Sequence, residues 1–319
     1  MIVIETRDLT IGYKTKTIHS HLNLQLREAD LTSILGVNGS GKSTLIRTLC
    51  GFIPPLGGEI FIFGKLISSY TKEELSAILS VVLTERVSDG GLTVYEVVSM
   101  GRYPYTGFFG RLADRDREVI ERSMQDVGVW AMRDLFISEL SDGERQKVMI
   151  AKSLAQESKI IILDEPTSFL DLRSRMEIIS LLRRLAREKG MTFLLSLHDL
   201  ELSLQYSDSL WIMSCGSGVE CGQTESMVLS GAINRAAGGG LLFDVEAGVF
   251  RQHHNGIKRV RYEGADLLWV RSALTRVGYC FCDDERELVI RVTDYQNIEV
   301  FRSGEKIRCH SIAEMLTVV

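Results

Sequence analysis

The sequence predicts an α/β fold followed by a smaller α+β domain, and three observations support this fold class. Short apolar runs that are typical of buried strands occur at 31–35, 160–164 and 192–197. Segments with helical periodicity lie between these runs, as expected when helices connect the strands of a parallel sheet. Beyond residue 240 only short strand-like runs and brief helical patterns follow, which indicates a separate small domain.

Length, charge and cysteine content exclude several classes of protein. The 319 residues suffice for one sizeable domain and a smaller one. No apolar run reaches the roughly 18 residues of a membrane span, and Met1–Glu5 lack the basic start of a secretory signal. The formal charge of −5 predicts no surface for nucleic acid. The six cysteines are expected to be reduced structural thiols, although a metal site at Cys280 and Cys282 remains an alternative.

The segment Gly36–Thr44 is a complete phosphate-binding loop between a predicted strand and a predicted helix. Its glycines allow the backbone to turn tightly and to point N–H groups at phosphate oxygens, which the positive end of the following helix also faces. Lys42 is expected to reach the β- and γ-phosphates, and Ser43 to offer its hydroxyl to Mg²⁺. The loop therefore predicts binding of a nucleoside triphosphate. The residues assigned to the nucleotide are Gly36, Asn38, Gly39, Ser40, Gly41, Lys42, Ser43 and Thr44.

Further segments, in a characteristic order over residues 1 to about 230, resemble the ABC-type ATPases. The segment Leu140–Gln146 resembles the signature motif, which other families with a phosphate-binding loop lack. The strand-like run that ends in Asp164 and Glu165 has the Walker B pattern. The remaining matches are Ser168–Asp171 for the D-loop, Leu195–Asp199 for the switch-histidine strand and Tyr13 for the aromatic ring under the adenine.

The resemblance implies a RecA-like P-loop core with an inserted helical subdomain at about 90–155. The amphipathic pattern over Arg173–Gly190 predicts a helix that Gly190 ends, and the buried strand that follows leads to His198. The resulting assignment is an ATPase domain over 1–230, a Gly-rich linker over 231–240 and an accessory domain over 241–319.

The resemblance also implies catalytic roles. Glu165 is expected to orient and deprotonate the attacking water, while Lys42 and His198 contact the γ-phosphate. Ser43 and Asp164 are expected to position Mg²⁺, so the implied cofactors are ATP and Mg²⁺.

A second copy of the chain is implied as a partner, because the signature motif of one subunit closes over the nucleotide of the other in this family. Ser141 and Gly143 would then contact the γ-phosphate across a two-fold interface, which gives two composite sites per dimer. Asp171, in the segment similar to the D-loop, is assigned to the same nucleotide site.

One position departs from the family pattern. The run Val81–Glu85 matches the Q-loop, but it places Glu85 where the family carries glutamine. A carboxylate oxygen can still contact Mg²⁺, although it adds negative charge beside the phosphates. We therefore expect hydrolysis to persist, with Glu85 as a metal contact and with altered coupling to the partner.

The segment 92–105 resembles a phrase of importer ATPases that serve iron–siderophore, haem and cobalamin permeases. The resemblance implies an energy subunit bound to the cytoplasmic face of the inner membrane through a polytopic permease, which in turn receives cargo from a substrate-binding protein. Iron chelates are the leading substrate, followed by haem and cobalamin. An ordinary amphipathic helix ended by Gly101 and Pro104 is the plainer interpretation of the same segment.

Two other functions remain possible at this point. A soluble mechanical ABC protein would need a long coiled coil or a second nucleotide domain, and the sequence has neither sustained heptads nor a second loop. A regulatory nucleotide-binding module would hydrolyse little ATP, which the presence of Glu165 and His198 disfavours. Residues 241–319 resemble no motif, and a sensor, an extension of the dimer interface or a passive stabilising domain are equally open.

Overall fold

The computed structural model describes residues 1–14, 16–83, 91–107, 110–214, 218–237, 241–245, 249–252, 258–282, 288–302 and 304–319. Contacts divide the chain into two compact units. The first contains Met1–Gly238 and Val245–Val249, and the second contains Gly239–Asp244 and Phe250–Val319.

Strands and helices are numbered in chain order. The strands are β1 (Ile2–Tyr13), β2 (Lys16–Leu22), β3 (Gln25–Arg27), β4 (Leu31–Leu35), β5 (Gly57–Ile62), β6 (Lys65–Leu66), β7 (Leu79–Val82), β8 (Ile160–Asp164), β9 (Thr192–Ser196), β10 (Ser209–Ser214), β11 (Gly218–Gln223), β12 (Leu241–Asp244), β13 (Val249–Gln252), β14 (Lys258–Gly264), β15 (Tyr279–Phe281), β16 (Leu288–Asp294), β17 (Asn297–Arg302) and β18 (Glu305–Cys309). The helices are α1 (Lys42–Leu49), α2 (Lys72–Ile78), α3 (Val94–Ser99), α4 (Asp114–Asp126), α5 (Asp142–Ala155), α6 (Leu172–Lys189), α7 (Leu200–Tyr206), α8 (Thr224–Leu229), α9 (Ala232–Ala237), α10 (Leu268–Arg276) and α11 (Ile312–Val318). A 3-10 helix at Met100–Tyr105 is called the 100–105 segment below.

The central sheet of the first unit has the strand order β11-β10-β4-β9-β8-β7. Its neighbours are parallel except for the edge pair β10 and β11. Every residue of β4, β8 and β9 is buried, as the apolar runs predict for strands covered on both faces. Because parallel strands end at the same edge, the loop after β4 and the carboxyl ends of β8 and β9 lie side by side. The α/β core expected from the sequence is confirmed.

The amino-terminal region differs from the expected alternation of strands and helices. Strands β1, β2, β3, β5 and β6 form a separate antiparallel sheet. Strands β1 and β2 pair directly from Tyr13 to Lys16, and so short a connection joins antiparallel strands and leaves no room for a helix. The apolar side of this sheet packs on the central sheet in one core, with Ile4, Leu9 and Ile11 fully buried.

Helices α3, α4 and α5 and the 100–105 segment form the helical part of the first unit. Thr93 and Glu96 form a capping box at the start of α3, and Ser141 and Glu144 form another at the start of α5. Each box satisfies N–H groups that a helix start leaves unpaired, which defines where these helices begin.

The second unit is built on a sheet with the order β15-β14-β16-β17-β18. Strands β14, β15 and β16 are parallel, whereas β17 and β18 continue the sheet antiparallel. Its core includes Val260 and Ile290 from the sheet, Leu274 from α10 and Met315 from α11. The brief helical patterns expected beyond residue 240 correspond to α10 and α11. The second unit therefore has the small α+β fold that the sequence predicts.

The segment expected to be a linker contains helix α9, in which Ala232 and Ile233 are buried. Among the residues that the structure describes, no helix has the length and apolar character needed to cross a membrane.

The thiols of Cys280 and Cys282 donate to the carbonyl oxygens of Lys258 and Val260. The described ranges also contain no group of three or more histidine, cysteine or acidic residues that could hold a metal ion.

Gly101 gives a test of the packing inside the helical part. A Cβ at Gly101 would lie 2.2 Å from the carbonyl oxygen of Lys152 on α5. We expect Gly101→Ala to lower the free energy of unfolding by about 1–3 kcal/mol, because the backbone must move apart. Urea denaturation of the purified chain measures this loss.

The matched control is Gly57→Ala, because a Cβ there meets only Thr10, at 3.6 Å. Equal losses in the two variants would show that the close approach at Gly101 does not limit the packing.

Candidate functional site

The loop between β4 and α1 has the backbone geometry that its glycines predict. Gly39 and Gly41 have φ angles of 81° and 102°, in the left-handed region that side chains other than glycine rarely adopt. A Cβ at Gly36 would lie 2.5 Å from Ser40 Oγ and 2.7 Å from the Met213 carbonyl oxygen. A side chain is thus disfavoured at all three glycines, by lack of space at Gly36 and by the backbone angle at Gly39 and Gly41.

Lys42 is buried at the start of α1. Its Nζ donates to the Gly36 carbonyl oxygen at 2.7 Å and to that of Val37 at 3.4 Å. Burial lowers the pKa of Lys42, and the negative charges of Glu165 and Asp164 act against that shift. The ammonium group therefore has carboxylates nearby, and its hydrogen bonds to described residues go to neutral carbonyl oxygens, an arrangement that a phosphate could complete.

The Ser40 hydroxyl is buried and has no hydrogen-bond partner within the described part of the chain. Such an atom is costly unless a ligand or water satisfies it, so its position in the cradle fits an oxygen-rich ligand. His19 donates its Nε2–H to the Ser40 carbonyl oxygen at 2.8 Å and is itself buried. The sequence did not indicate His19, because His19 comes close to the phosphate loop only when β2 folds beside that loop.

Asp164 and Glu165 follow one another at the end of β8, and Ser196 at the end of β9 connects them. The strands pair in a register that sets Asp164 opposite Ser196. Ser196 Oγ donates to Asp164 Oδ1 at 2.6 Å and accepts the Glu165 N–H at 2.7 Å. Ser196 is fully buried, so this one hydroxyl orients both acidic residues. Sequence reasoning also missed this serine.

The side chain of Glu165 lies between His198 and Ser168. His198 Nε2 lies 2.6 Å from Glu165 Oε1, and Ser168 Oγ donates to Oε2 at 2.9 Å. Burial raises the pKa of Glu165, but the hydrogen bonds from His198 and Ser168 and the charges of His198 and Lys42 outweigh it, so the pKa lies below its usual value. Glu165 is consequently a carboxylate, and its φ angle of 51° holds it in a backbone region that costs energy for glutamate.

The signature residues lie at the start of α5, next to α6. Ser141 caps α5 and donates its hydroxyl to Glu144 at 2.6 Å. Asp171 caps α6 by accepting the Ser174 N–H at 2.8 Å, and a Cβ at Gly143 would meet the Ser174 hydroxyl at 3.1 Å. Both helix starts are thus packed together.

The predicted residues fall into two groups. Lys42, Asp164, Glu165 and His198 interact directly or through their charges. The second group contains Ser141, Gly143 and Asp171. The short segment 165–171 runs along the chain from Glu165 of the first group to Asp171 of the second.

The other predicted residues differ in exposure. In the loop, Asn38 is exposed, Ser43 is half-buried and Thr44 is buried. Tyr13 is exposed at the end of β1. Glu85 lies outside the described residues.

Comparisons with known proteins agree with this geometry. The profile of the ABC transporter family matches residues 19–168. The chain is 39% identical over 232 residues to an uncharacterized ABC transporter ATP-binding protein of Methanocaldococcus jannaschii. The aligned region covers 73% of this chain and 80% of that protein. It is 36% identical over 230 residues to the ferric enterobactin transport ATP-binding protein of Escherichia coli K12, and this alignment covers 72% of this chain and 85% of that protein. A subunit of the cbiONQ ABC transporter complex from Clostridium perfringens has a TM-score of 0.65 and 26% identity, covering 73% and 93%.

The fold and site define a P-loop ATPase of the ABC class. The chain belongs to the ATP-binding subunits of ABC transporters, and its relatives include subunits of siderophore import systems. Proteins of this class bind ATP and hydrolyse it, and in importers they act as dimers with a membrane permease. The sequence-based assignment to this family is therefore confirmed.

Ser196 provides a test of how the site is held. We expect Ser196→Ala to lower the free energy of unfolding by about 1–3 kcal/mol, because it leaves the Glu165 N–H without its acceptor. Chemical denaturation measures the loss.

The control is Ser180→Ala, which removes only an exposed hydrogen bond to the Tyr206 hydroxyl. A Ser196→Ala variant as stable as this control would contradict the assigned role of the buried hydroxyl.

Proposed function

We propose that the chain is the ATP-hydrolysing energy subunit of an importer for iron complexes, most directly ferric siderophores. The observation that carries the hydrolytic part is the carboxylate of Glu165, held by His198 and Ser168 within the electrostatic reach of Lys42. The relative that transports ferric enterobactin supports the substrate class. Haem and cobalamin are the other substrates expected from the 92–105 phrase.

The donor atoms at the site fit Mg²⁺. Asp164 and Ser43 supply a carboxylate and a hydroxyl, and Mg²⁺ prefers oxygen ligands. The Ser40 hydroxyl, which has no hydrogen-bond partner among the residues that the structure describes, and the glycine cradle fit the phosphate chain that accompanies the ion. When bound, Mg²⁺ would neutralise charge on the phosphates. We assign the metal contacts to Ser43 and Asp164, with Glu85 as a further candidate.

Each residue of the first group has a distinct role in hydrolysis. Lys42 would exchange its contacts to carbonyl oxygens for contacts to the β- and γ-phosphates. Glu165, as a carboxylate, would orient the water and accept its proton. His198 both orients Glu165 and would contact the γ-phosphate. Ser196 would hold Asp164 and Glu165 in place throughout.

The remaining residues serve binding. The loop residues would hold the phosphates, and Tyr13 would stack under the adenine, a role supported by its exposure at the end of β1. Ser141, Gly143 and Asp171 would complete the site of a second copy of the chain.

The partner of the dimer is proposed to be a polytopic permease that receives cargo from a substrate-binding protein. Attachment to such a permease would place the chain at the cytoplasmic face of the inner membrane. Nucleic acid is not among the proposed partners.

The substitution Glu165→Gln tests the catalytic assignment. We expect ATP hydrolysis to fall by about 10² to 10⁴-fold, because the amide cannot accept the proton of the water, while ATP binding persists. Phosphate release and nucleotide binding measure the two quantities.

Glu201→Gln, on the exposed surface of α7, is the control. Hydrolysis by Glu165→Gln at the rate of this control would remove Glu165 from the mechanism.

The same Glu165→Gln variant tests the transport assignment, because slow hydrolysis should trap the ATP-bound dimer. We expect it to retain a polytopic membrane protein when it is purified from detergent-solubilised membranes with ATP, and to lose it with ADP. That permease's binding protein then identifies the cargo. Recovery of ribosomes or other soluble assemblies alone would contradict an importer.

A further inference from the structure

Arg102 is a charged residue buried inside the helical part of the first unit, with 2% of its surface exposed. Its Nε donates to Asp116 on α4 at 2.9 Å. Its Nη1 donates to the Ala155 carbonyl oxygen and to the Glu157 carboxylate, both at 2.8 Å. A buried guanidinium is stable only with such partners, so Arg102 fastens the 100–105 segment to α4 and to the end of α5.

The residues 156–159 join α5 to β8 and are called the α5–β8 turn. Within it, Glu157 has a φ of 53°, which costs energy for a residue with a side chain. Its carboxylate binds Arg102 and, at 3.5 Å, the more exposed Arg122. Tyr105 donates its hydroxyl to the Gln156 carbonyl oxygen at 2.9 Å, and its ring lies 4.0 Å from the Arg102 guanidinium. The 100–105 segment thus holds this turn through two side chains.

The turn is also attached to the end of α2 and to β7 of the central sheet. The Gln156 amide donates to the carbonyl oxygens of Ser76 and Leu79. The Ser158 hydroxyl donates to that of Ser80 on β7 at 2.8 Å, and both serines are buried. The turn is therefore held between the 100–105 segment and β7.

The two elements that meet at this turn carry different parts of the site at their far ends. Helix α5 begins at the signature residue Ser141, and β8 ends at Asp164. Helices and buried strands transmit displacement along their length because they are closely packed. A shift of the turn would consequently move both the signature residues and the acidic pair.

We propose that Arg102 is a positioning residue that couples the exposed face of the 100–105 segment to the nucleotide site through the α5–β8 turn. Tyr103, with 65% of its surface exposed, marks that face. The inference rests on the proposed function, and it takes the face marked by Tyr103 as the surface that the proposed permease binds. It assigns the coupling to an ion-pair network that is centred on the buried Arg102 and lies outside the nucleotide-binding residues.

Glu157→Asn tests the coupling. Asparagine tolerates the left-handed backbone, so the turn should keep its conformation while the carboxylate that binds Arg102 is lost. With the captured permease in lipid vesicles, we expect stimulation of ATP hydrolysis to fall about fivefold or more. Hydrolysis by the chain alone should remain at the wild-type rate.

Arg122→Gln is the matched control, because it removes only the longer ion pair to the same carboxylate. It should retain both activities. Tyr105→Phe, which loses only the hydroxyl contact to Gln156, is a second variant with an expected smaller loss of stimulation. Unchanged stimulation in Glu157→Asn, or an equal loss of stimulated and unstimulated hydrolysis, would overturn the proposal.

Hydrogen exchange in the chain without permease separates this proposal from the proposed function. ATP binding should slow amide exchange in both β8 and the 100–105 segment of the wild type, but only in β8 of Glu157→Asn. The same response in both chains, or none at the 100–105 segment in the wild type, would overturn the coupling. A positive exchange result without any captured permease would reject the importer and leave the internal coupling in place.

Discussion

The in-register pairing of two buried parallel strands is the constraint on which the site depends. Strands β8 and β9 place Asp164 opposite Ser196, and the serine hydroxyl then bonds to the carboxylate of Asp164 and to the backbone of Glu165. A slip of one residue would turn every side chain of the strand to the other face. The acidic pair is oriented by the sheet itself, because the register of β8 and β9 sets which side chains meet.

The phosphate loop and the acidic pair are complementary parts of one electrostatic arrangement. Lys42 is buried and its pKa is lowered by that burial, while the pKa of Glu165 lies below its usual value because its hydrogen bonds and the charges of His198 and Lys42 together outweigh burial. The loop contributes a cation and a hydroxyl that is unpaired within the described ranges, and the neighbouring strand ends contribute anions. A magnesium nucleotide, which carries both signs of charge, matches that division.

Sequence reasoning succeeded where the chemistry is local in the chain. The residues of the loop Gly36–Thr44 are contiguous, so their spacing alone predicts the turn, the helix start and the ligand class. It failed where function depends on contacts between distant segments. Ser196 resembles any small residue of a buried strand until its register with β8 is known, and His19 becomes a neighbour of the loop only through β2.

The 92–105 segment is a second case in which contacts between distant residues could not be predicted from the sequence. The sequence showed only that this segment resembles a phrase of importer ATPases, whereas in the structure Gly101 lies against α5 and Arg102 is buried among its ion-pair partners. Only the structure separates the residues that hold the segment from those, such as Tyr103, that are exposed on it. The sequence places the two kinds of residue side by side without distinguishing them.

The left-handed backbone at Glu165 has a consequence for how the position can change during evolution. Glycine or asparagine would adopt a φ of 51° at lower cost, so backbone preference favours their substitution there. Retention of glutamate among descendants of this chain would therefore measure selection on its carboxylate, separately from selection on folding. Loss of that selection should leave glycine or asparagine at this position before the surrounding strands change.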